Sequence, residues 1–484
     1  MSIDLEVLAV RDKILGVVDD FGYNNGLLYP RYTTYRDDIV IPRWARCLVS
    51  DSFRYPHDVR SITLNEGLEV LNKYCLKNFE RIVELIIPES VLRIGGYALY
   101  QCYSLKHVKL PSGVFELGDH CFATCSSLES IDIPDSVKSL SDYIFSGCSK
   151  LKGVKLPNTL IGIGSYAFDC CAKLETVDIP DSVVKIENCA FSGCLSLKTI
   201  KLPKMLSELP RGCFYKCESL DNVTIPDLVT TLKNYTFDGC KSLKTLRLPS
   251  CISEINDCCF QNCNSLEEFV TPESTKYIGD LAFTACLSLK KVVFGSKFGT
   301  LGRSCFKECR ALDTVDMSSS CVQYLSESVF MGCTSLRNVN LSERLYGVEV
   351  CCFSDCLSLE TIILPDSVEM LHKYAFCGCT SLKSIEMSKN LREIGHACFK
   401  DCISLKSIEI PENVRALSDY AFEKCTSLKN VKITGTVQSI GNNCFAWCKS
   451  LFNINIPRAA KVHKTAFLGT TYKYVMTNTR KWYV

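Results

Sequence analysis

The sequence predicts a repeat solenoid, an array of about nineteen rungs with a parallel β-sheet on one face and short strands and turns on the other. Three observations predict it. Cysteines stand at 102, 125, 148, 171, 194, 217, 240, 263, 286 and 309, each step twenty-three residues, and resume after one step of twenty-four at 333, 356, 379, 402, 425 and 448. Every one of these sixteen is followed three residues later by leucine, from Leu105 to Leu451, and fifteen are preceded at the same distance by phenylalanine, Leu99 being the exception. After the leucine comes a short apolar alternation, as in Ile131 and Ile133, and then usually proline, as in Pro134. Self-similarity at a period of about 20 to 50 residues marks stacked supersecondary units rather than separate globular domains.

Each part of the repeat has a physical reading. Leu-x-x-Ile-x-Leu is a short strand, because alternating apolar residues bury one face of an extended chain. Proline has no N–H to give to a ladder, so it stops the strand and turns the chain. Val-x-x-Ile, read at Val137 and Leu140, packs the opposite wall, and a short turn then brings Ala-Phe into the core. The phenylalanine column extends outward to Phe53 and Phe467, which gives nineteen rungs and places a solenoid over residues 39–469. Residues 1–38 and 470–484 are expected to be caps, since end rungs otherwise expose apolar core. Leu5, Leu8, Leu15 and Val18 suit a helical N-cap; Tyr472, Tyr474 and Trp482 suit a strand or loop on the last rung.

The unit Cys-x-Ser-Leu-x-x-Ile-x-Leu-Pro-x-x-Val-x-x-Ile-x-x-x-Ala-Phe-x-x-Cys, read from Cys125 through Leu128, Ile131, Pro134 and Val137 to Phe145 and Cys148, resembles the BspA-like, Treponema-type leucine-rich repeat. The resemblance implies a leucine-rich-repeat array used for adhesion to host or microbial proteins, and the family brings no catalytic residues to carry over.

A second period lies over the first. The residue before the core phenylalanine is cysteine on alternate rungs, among them Cys213, Cys259, Cys305, Cys352 and Cys398. The residue after the repeat leucine alternates in charge from Lys106 and Glu129 to Glu360 and Lys383. A forty-six-residue duplication unit produces both. In a parallel in-register ladder equivalent side chains are neighbours, so alternating signs attract where a uniform column would repel. The alternation ends at Lys383, where Lys406, Lys429 and then Phe452 follow and make that edge locally basic.

Composition excludes several function classes. The 55 basic and 53 acidic residues give a formal net charge of +2, without the broad positive field of a nucleic-acid or polybasic membrane binder. No run approaches eighteen apolar residues, so no membrane insertion is expected. The first twenty residues carry Asp4 and Glu6 in place of a basic start, which predicts a cytoplasmic protein; a cell-surface adhesin exported without a classical signal is the alternative. Thirty-two cysteines suggest disulfides or metal, yet the recurrent Cys-x-x-x-Cys is the coincidence of two repeat columns, and no third ligand recurs with it. Buried cysteine behaves as a small hydrophobe with a weak donor, so packing explains the columns and neither metal nor cofactor is expected. The six histidines share no column, and no recurring nucleophile–base arrangement accompanies them, so no enzyme is predicted. The sequons at Asn222 and Asn234 are read as fortuitous.

The informative departures lie in the middle. The outward strand position, seven after the ladder cysteine, reads Lys109, Asp132, Lys155, Asp178, Lys201, Thr224 and Arg247, then Val270, Val293, Asp316, Asn340 and Ile363. Turn prolines vanish between Pro272 and Pro365, and the single extra residue lies between Asp316 and Leu325. Drift under relaxed constraint is one reading. The other is an apolar binding patch at Val270 and Val293, bounded by Arg247 and Asp316 and echoed at Ile363, because a contiguous apolar surface marks an interface. The expected function is therefore non-enzymatic protein binding through the sheet face, as a scaffold or receptor. An adhesin, or a substrate-targeting subunit of an enzyme complex, are the alternatives.

Overall fold

The computed structural model describes residues 21–24, 27–30, 37–50, 52–53 and 56–472. The chain forms two compact units, Met1–Val229 with Gly239–Lys241, and Thr230–Asp238 with Ser242–Val484. Each is a parallel-sheet solenoid, and the one helical element among the described residues is the short 3-10 turn Pro56–Asp58. The expected helical residues Leu5, Leu8, Leu15 and Val18 lie outside the described residues, as do Tyr474 and Trp482. The first described strands, Phe21–Asn24 and Leu27–Pro30, pair antiparallel as a hairpin, whose second strand then pairs in parallel with Cys47–Leu48.

One turn shows how the repeat becomes structure. In the strand Ser130–Asp132 only Ile131 is buried, and its register with the next strand, Gly153–Lys155, sets Ile131 beside Val154 and Asp132 beside Lys155. Pro134 ends the strand, and its carbonyl accepts a 3.0 Å hydrogen bond from the Val137 N–H, closing a corner that recurs at Pro157 and Leu160. The opposite wall is a second parallel ladder of two-residue strands, Ser139–Leu140, Gly162–Ile163 and Lys185–Ile186.

The third side is a stack of turns whose backbone groups divide their bonds. The Tyr97, Leu99 and Gln101 N–H groups donate to carbonyls of the next turn, at Asp119, Cys121 and Ala123, over 2.8–3.0 Å. The Ala98 and Tyr100 N–H groups donate within their own turn, to Gly95 and Tyr97 at 3.2 Å. This division pairs every N–H from Tyr97 to Gln101, and it holds Tyr97 and Gln101 at φ 56° and 62°. A left-handed non-glycine residue costs about 1–2 kcal/mol, and the bonds between turns stabilise it there.

The core is two parallel columns. Phenylalanine rings stack from Phe122 to Phe214 in the first unit at 5.3–5.8 Å, and from Phe237 to Phe467 in the second at 5.0–5.8 Å. Beside them each ladder cysteine donates its S–H to the carbonyl of the core residue one turn back, Cys125 to Leu99 at 3.2 Å and Cys148 to Phe122 at 3.1 Å. The Phe122 carbonyl also accepts the Cys125 N–H at 3.1 Å, so both its lone pairs are engaged in a dry core. A small side chain with one weak donor fits that place. All thirty-two thiols are free, and burial pushes the Cys148 and Cys171 thiols well above their ordinary pKa.

The departures from the period are local. The extra residue gives a step of twenty-four between Thr314–Asp316 and Asn338–Asn340, and the short last turn gives twenty-two between Ser439 and Lys461. The first-face sheet runs unbroken through the insertion, whereas the second-face ladder stops at Thr300–Leu301 and starts again at Tyr324–Leu325. At two of the proline-free turns serine closes the turn: Ser320 Oγ donates to the Met317 carbonyl at 2.7 Å, and Ser342 Oγ accepts the Arg344 N–H at 3.2 Å.

Candidate functional site

The outward column of the first-face sheet separates the predicted site residues into those it gathers and those it does not. Val270 ends the strand Glu268–Val270, and Val293 ends its neighbour Lys291–Val293; the two are register partners. Their inward neighbours Phe269 and Val292 are buried, whereas Val270 is 63% exposed and Val293 is half-buried. Asp316 is the next partner of Val293. Arg247 is exposed one turn before Val270, outside the named strands. Ile363, 65% exposed, pairs with Glu386 and is separated from the valines by the polar Asp316 and Asn340, so it does not extend their patch.

Electrostatics around the patch are committed rather than free. The Asp316 carboxylate accepts the Ser318 hydroxyl at 2.8 Å and the Ser318 N–H at 3.1 Å, and these bonds hold its pKa below the ordinary value. It anchors the proline-free turn as well as bounding the valines. On the turn-side edge the alternating charges meet as expected: Lys290 with Glu267 at 2.9 Å, Arg337 with Asp313 at 3.2 Å and Lys383 with Glu360 at 2.6 Å. Each pair is about half exposed, so solvent screens it strongly and it adds little to stability. In the first unit the outward column remains polar from Lys109 to Thr224, with a shallow open depression over Gly153 edged by Asp132, Lys155 and Asp178.

Two features escaped the sequence reading. The outward column begins with two exposed apolar residues, Val40 and Ile86, the latter by 69%, with Thr63 between them. Their rungs lack the ladder cysteine, so a register anchored on cysteine starts at Lys109. The second is an aromatic ladder on the turn side of the first unit. Tyr74, Tyr97, His120, Tyr143 and Tyr166 stand on successive turns with centroids 4.3–4.8 Å apart. The signal was present as Tyr97, His120, Tyr143 and Tyr166 five residues before Cys102, Cys125, Cys148 and Cys171, with Tyr74 in the same register one turn earlier. Burial between two tyrosines lowers the His120 pKa, against the partly opposing charges of Asp119 and Asp142.

No group of three or more histidine, cysteine or carboxylate side chains is placed to hold a metal among the described residues. Among them, too, no helix is long and apolar enough to cross a membrane.

The pattern of the BspA type leucine-rich repeat region fits residues 32–152, 116–244, 230–360 and 348–474, which overlap and together span most of the chain. No curated protein matches. Among solved structures, a leucine-rich repeat protein from Bacteroides ovatus is 32% identical over 72% of this chain and 92% of its own, with a TM-score of 0.68. A leucine-rich repeat protein from Eubacterium ventriosum is 21% identical, covering 75% of this chain and 94% of its own, at a TM-score of 0.44. A leucine-rich cell surface protein from Faecalibacterium prausnitzii is 21% identical, covering 86% and 93%, at 0.37.

Proposed function

Because the chain belongs to the BspA-type leucine-rich-repeat family, we propose that it is a non-enzymatic scaffold or receptor that binds a protein partner through its first-face sheet. The observation that carries this reading is the pair Val270 and Val293, adjacent in register on the outer surface while Phe269 and Val292 fill the core behind them. Apolar residues at that position gain little in the isolated chain beyond their contact with each other. An apolar centre with a charged and polar rim, here Arg247, Asp316 and Asn340, is the usual anatomy of an interface hot spot. A stacked array is already ordered, so little conformational entropy is lost on binding.

Each ladder S–H donates to a buried backbone carbonyl, a bond that oxidation would remove, and this favours a reducing compartment. A cytoplasmic location follows as part of the same reading.

The test is Val270→Lys with Val293→Lys in one chain, assayed against partners captured by the wild type and identified by mass spectrometry. The melting transition should be almost unchanged and partner affinity should fall by one to two powers of ten. Unfolding of the double variant would mean that these residues serve the core, and unaltered binding would remove the patch as the site.

A further inference from the structure

The near-neutral total conceals a polarised chain. Residues 424–484 contain 10 lysines and arginines and not one aspartate or glutamate, leaving 45 basic against all 53 acidic residues in the preceding 423. The last turns are thus a cationic end on a body of net charge −8.

The structure gathers part of that charge on one corner of the second unit, where the turn side meets the first-face sheet. Lys429 N–H donates to the Lys406 carbonyl at 2.8 Å and Phe452 N–H to the Lys429 carbonyl at 3.2 Å, so the three stand on successive turns in one column. Lys449 and Trp447 share the turn of Phe452, and the Trp447 N–H donates to the Leu468 carbonyl at 2.7 Å, bringing Leu468 beside them. All six side chains are exposed, Phe452 by 65%. Three nearby carboxylates pair elsewhere, Glu360 with Lys383, Glu409 with Lys432 and Glu423 with Lys400, and Asp401 on the turn of Lys406 leaves the corner net positive. Lys406, Lys429 and Lys449 have no ion-pair partner among the described residues. Trp447 is held in place, because its ring lies so close over Gly469 that a Cβ there would meet it at 2.5 Å.

We propose that this corner docks on an anionic lipid bilayer. Unpaired lysines interleaved with exposed tryptophan, phenylalanine and leucine match the two layers of a membrane surface. Cations meet the acidic headgroups, and apolar side chains enter the acyl boundary. A nucleic acid would satisfy the lysines and stack on the aromatic rings, but it offers Leu468 nothing. An acidic peptide would likewise pair with the lysines, but it offers no apolar layer to Trp447, Phe452 and Leu468 together. Single hydrophobic or electrostatic signals hold a protein to membrane only weakly, and this corner supplies both. The association is peripheral, and it is independent of the Val270–Val293 patch on the sheet.

Sedimentation of the full chain with vesicles decides it. With phosphatidylcholine vesicles containing about a third phosphatidylserine, the protein should pellet at low salt and be released by 0.5 M NaCl, as Debye screening requires; with phosphatidylcholine alone it should stay in solution. Each basic residue near an anionic surface contributes roughly fivefold in affinity. Lys406→Gln, Lys429→Gln and Lys449→Gln together should therefore weaken binding by about 100-fold, and Phe452→Ser by about tenfold. The Val270→Lys, Val293→Lys chain should pellet as the wild type does, which separates failure here from failure of the sheet-face reading. Equal binding to both vesicle types, no pelleting at low salt, or a salt-insensitive wild type would each overturn the proposal. So would a protein that ignores anionic vesicles yet binds a single-stranded oligonucleotide or polyglutamate through the same lysines.

Discussion

Replacing one ring of the phenylalanine column tests the packing most directly. Phe191 is completely buried, with Phe168 at 5.3 Å on one side and Phe214 at 5.8 Å on the other, both stacked. Truncation to alanine leaves a gap between two rings whose positions are fixed by the backbone bonds of their own turns. A buried Phe→Ala change costs about 3–5 kcal/mol, and here the upper half of that range is expected, because two stacking contacts worth ~0.5–1.5 kcal/mol each go with the ring. Phe191→Leu is the informative comparison. Leu76 and Leu99 already occupy this column and are fully buried, so a leucine fits the same turn geometry. It should cost under about 2 kcal/mol. Urea denaturation followed by circular dichroism gives the midpoints, and amide exchange locates the damage. In an array whose turns contact only their neighbours, exchange should accelerate around Phe168, Phe191 and Phe214 before the second unit responds. An alanine variant within 1 kcal/mol of the wild type, or a leucine variant as damaged as alanine, would refute the stacked-column account of the core.

Further expectations concern the thiols, the aromatic ladder and the edge charges. At pH 8 iodoacetamide should label the exposed Cys170 and leave the buried ladder thiols, such as Cys148 and Cys194, unmodified until denaturant is added, because burial raises their pKa and removes access; rapid native labelling of Cys148 or Cys194 in mass spectra would contradict the core assignment. The Cys217→Ala variant, which loses the S–H donor to the Phe191 carbonyl, should be less stable than Cys217→Ser by about 1 kcal/mol in the same urea titration. His120 should titrate below the ordinary ~6.5 by NMR. Since the unfolded chain then binds that proton more tightly, the stability of the first unit should fall as pH drops through about 6.5, and His120→Tyr should remove that component of the slope; a measured pKa above 6.5 would show that Asp119 and Asp142 outweigh burial. Lys290→Ala should leave the urea midpoint almost unchanged, any small effect vanishing in 0.5 M salt, and a clear salt-insensitive loss would make that edge structural.

Most of the fold was legible because the repeat states the same constraint many times over. Ile131, Pro134, Leu140, Phe145 and Cys148 each recur at a fixed distance, and each has one physical use, so the strand, corner, second wall and core could be read in order. The stop of the second-face ladder at Leu301 was not legible. The extra residue could be seen, but which ladder would absorb it depends on turns one rung apart. The candidate site was legible only in outline. Val270 and Val293 were placed side by side by counting, whereas the capture of Asp316 by Ser318 and the isolation of Ile363 from the valines required their surroundings. Ile86 lies on a rung without the ladder cysteine, and the tyrosines stand on a third column that neither the strand alternation nor the core period marks.

By itself the sequence determined the period, the direction in which each residue points and the identity of the core columns. These depend on local geometry: alternation along a strand, a corner at proline and a small donor behind each ring. Tertiary structure decided which charges are paired, which apolar residues remain open to solvent and where unpaired lysines meet exposed rings. Those outcomes rest on contacts between residues twenty or more positions apart, such as Phe452 on Lys429 and Leu468 on Trp447. Only stacking one turn on the next brings such side chains within reach of one another.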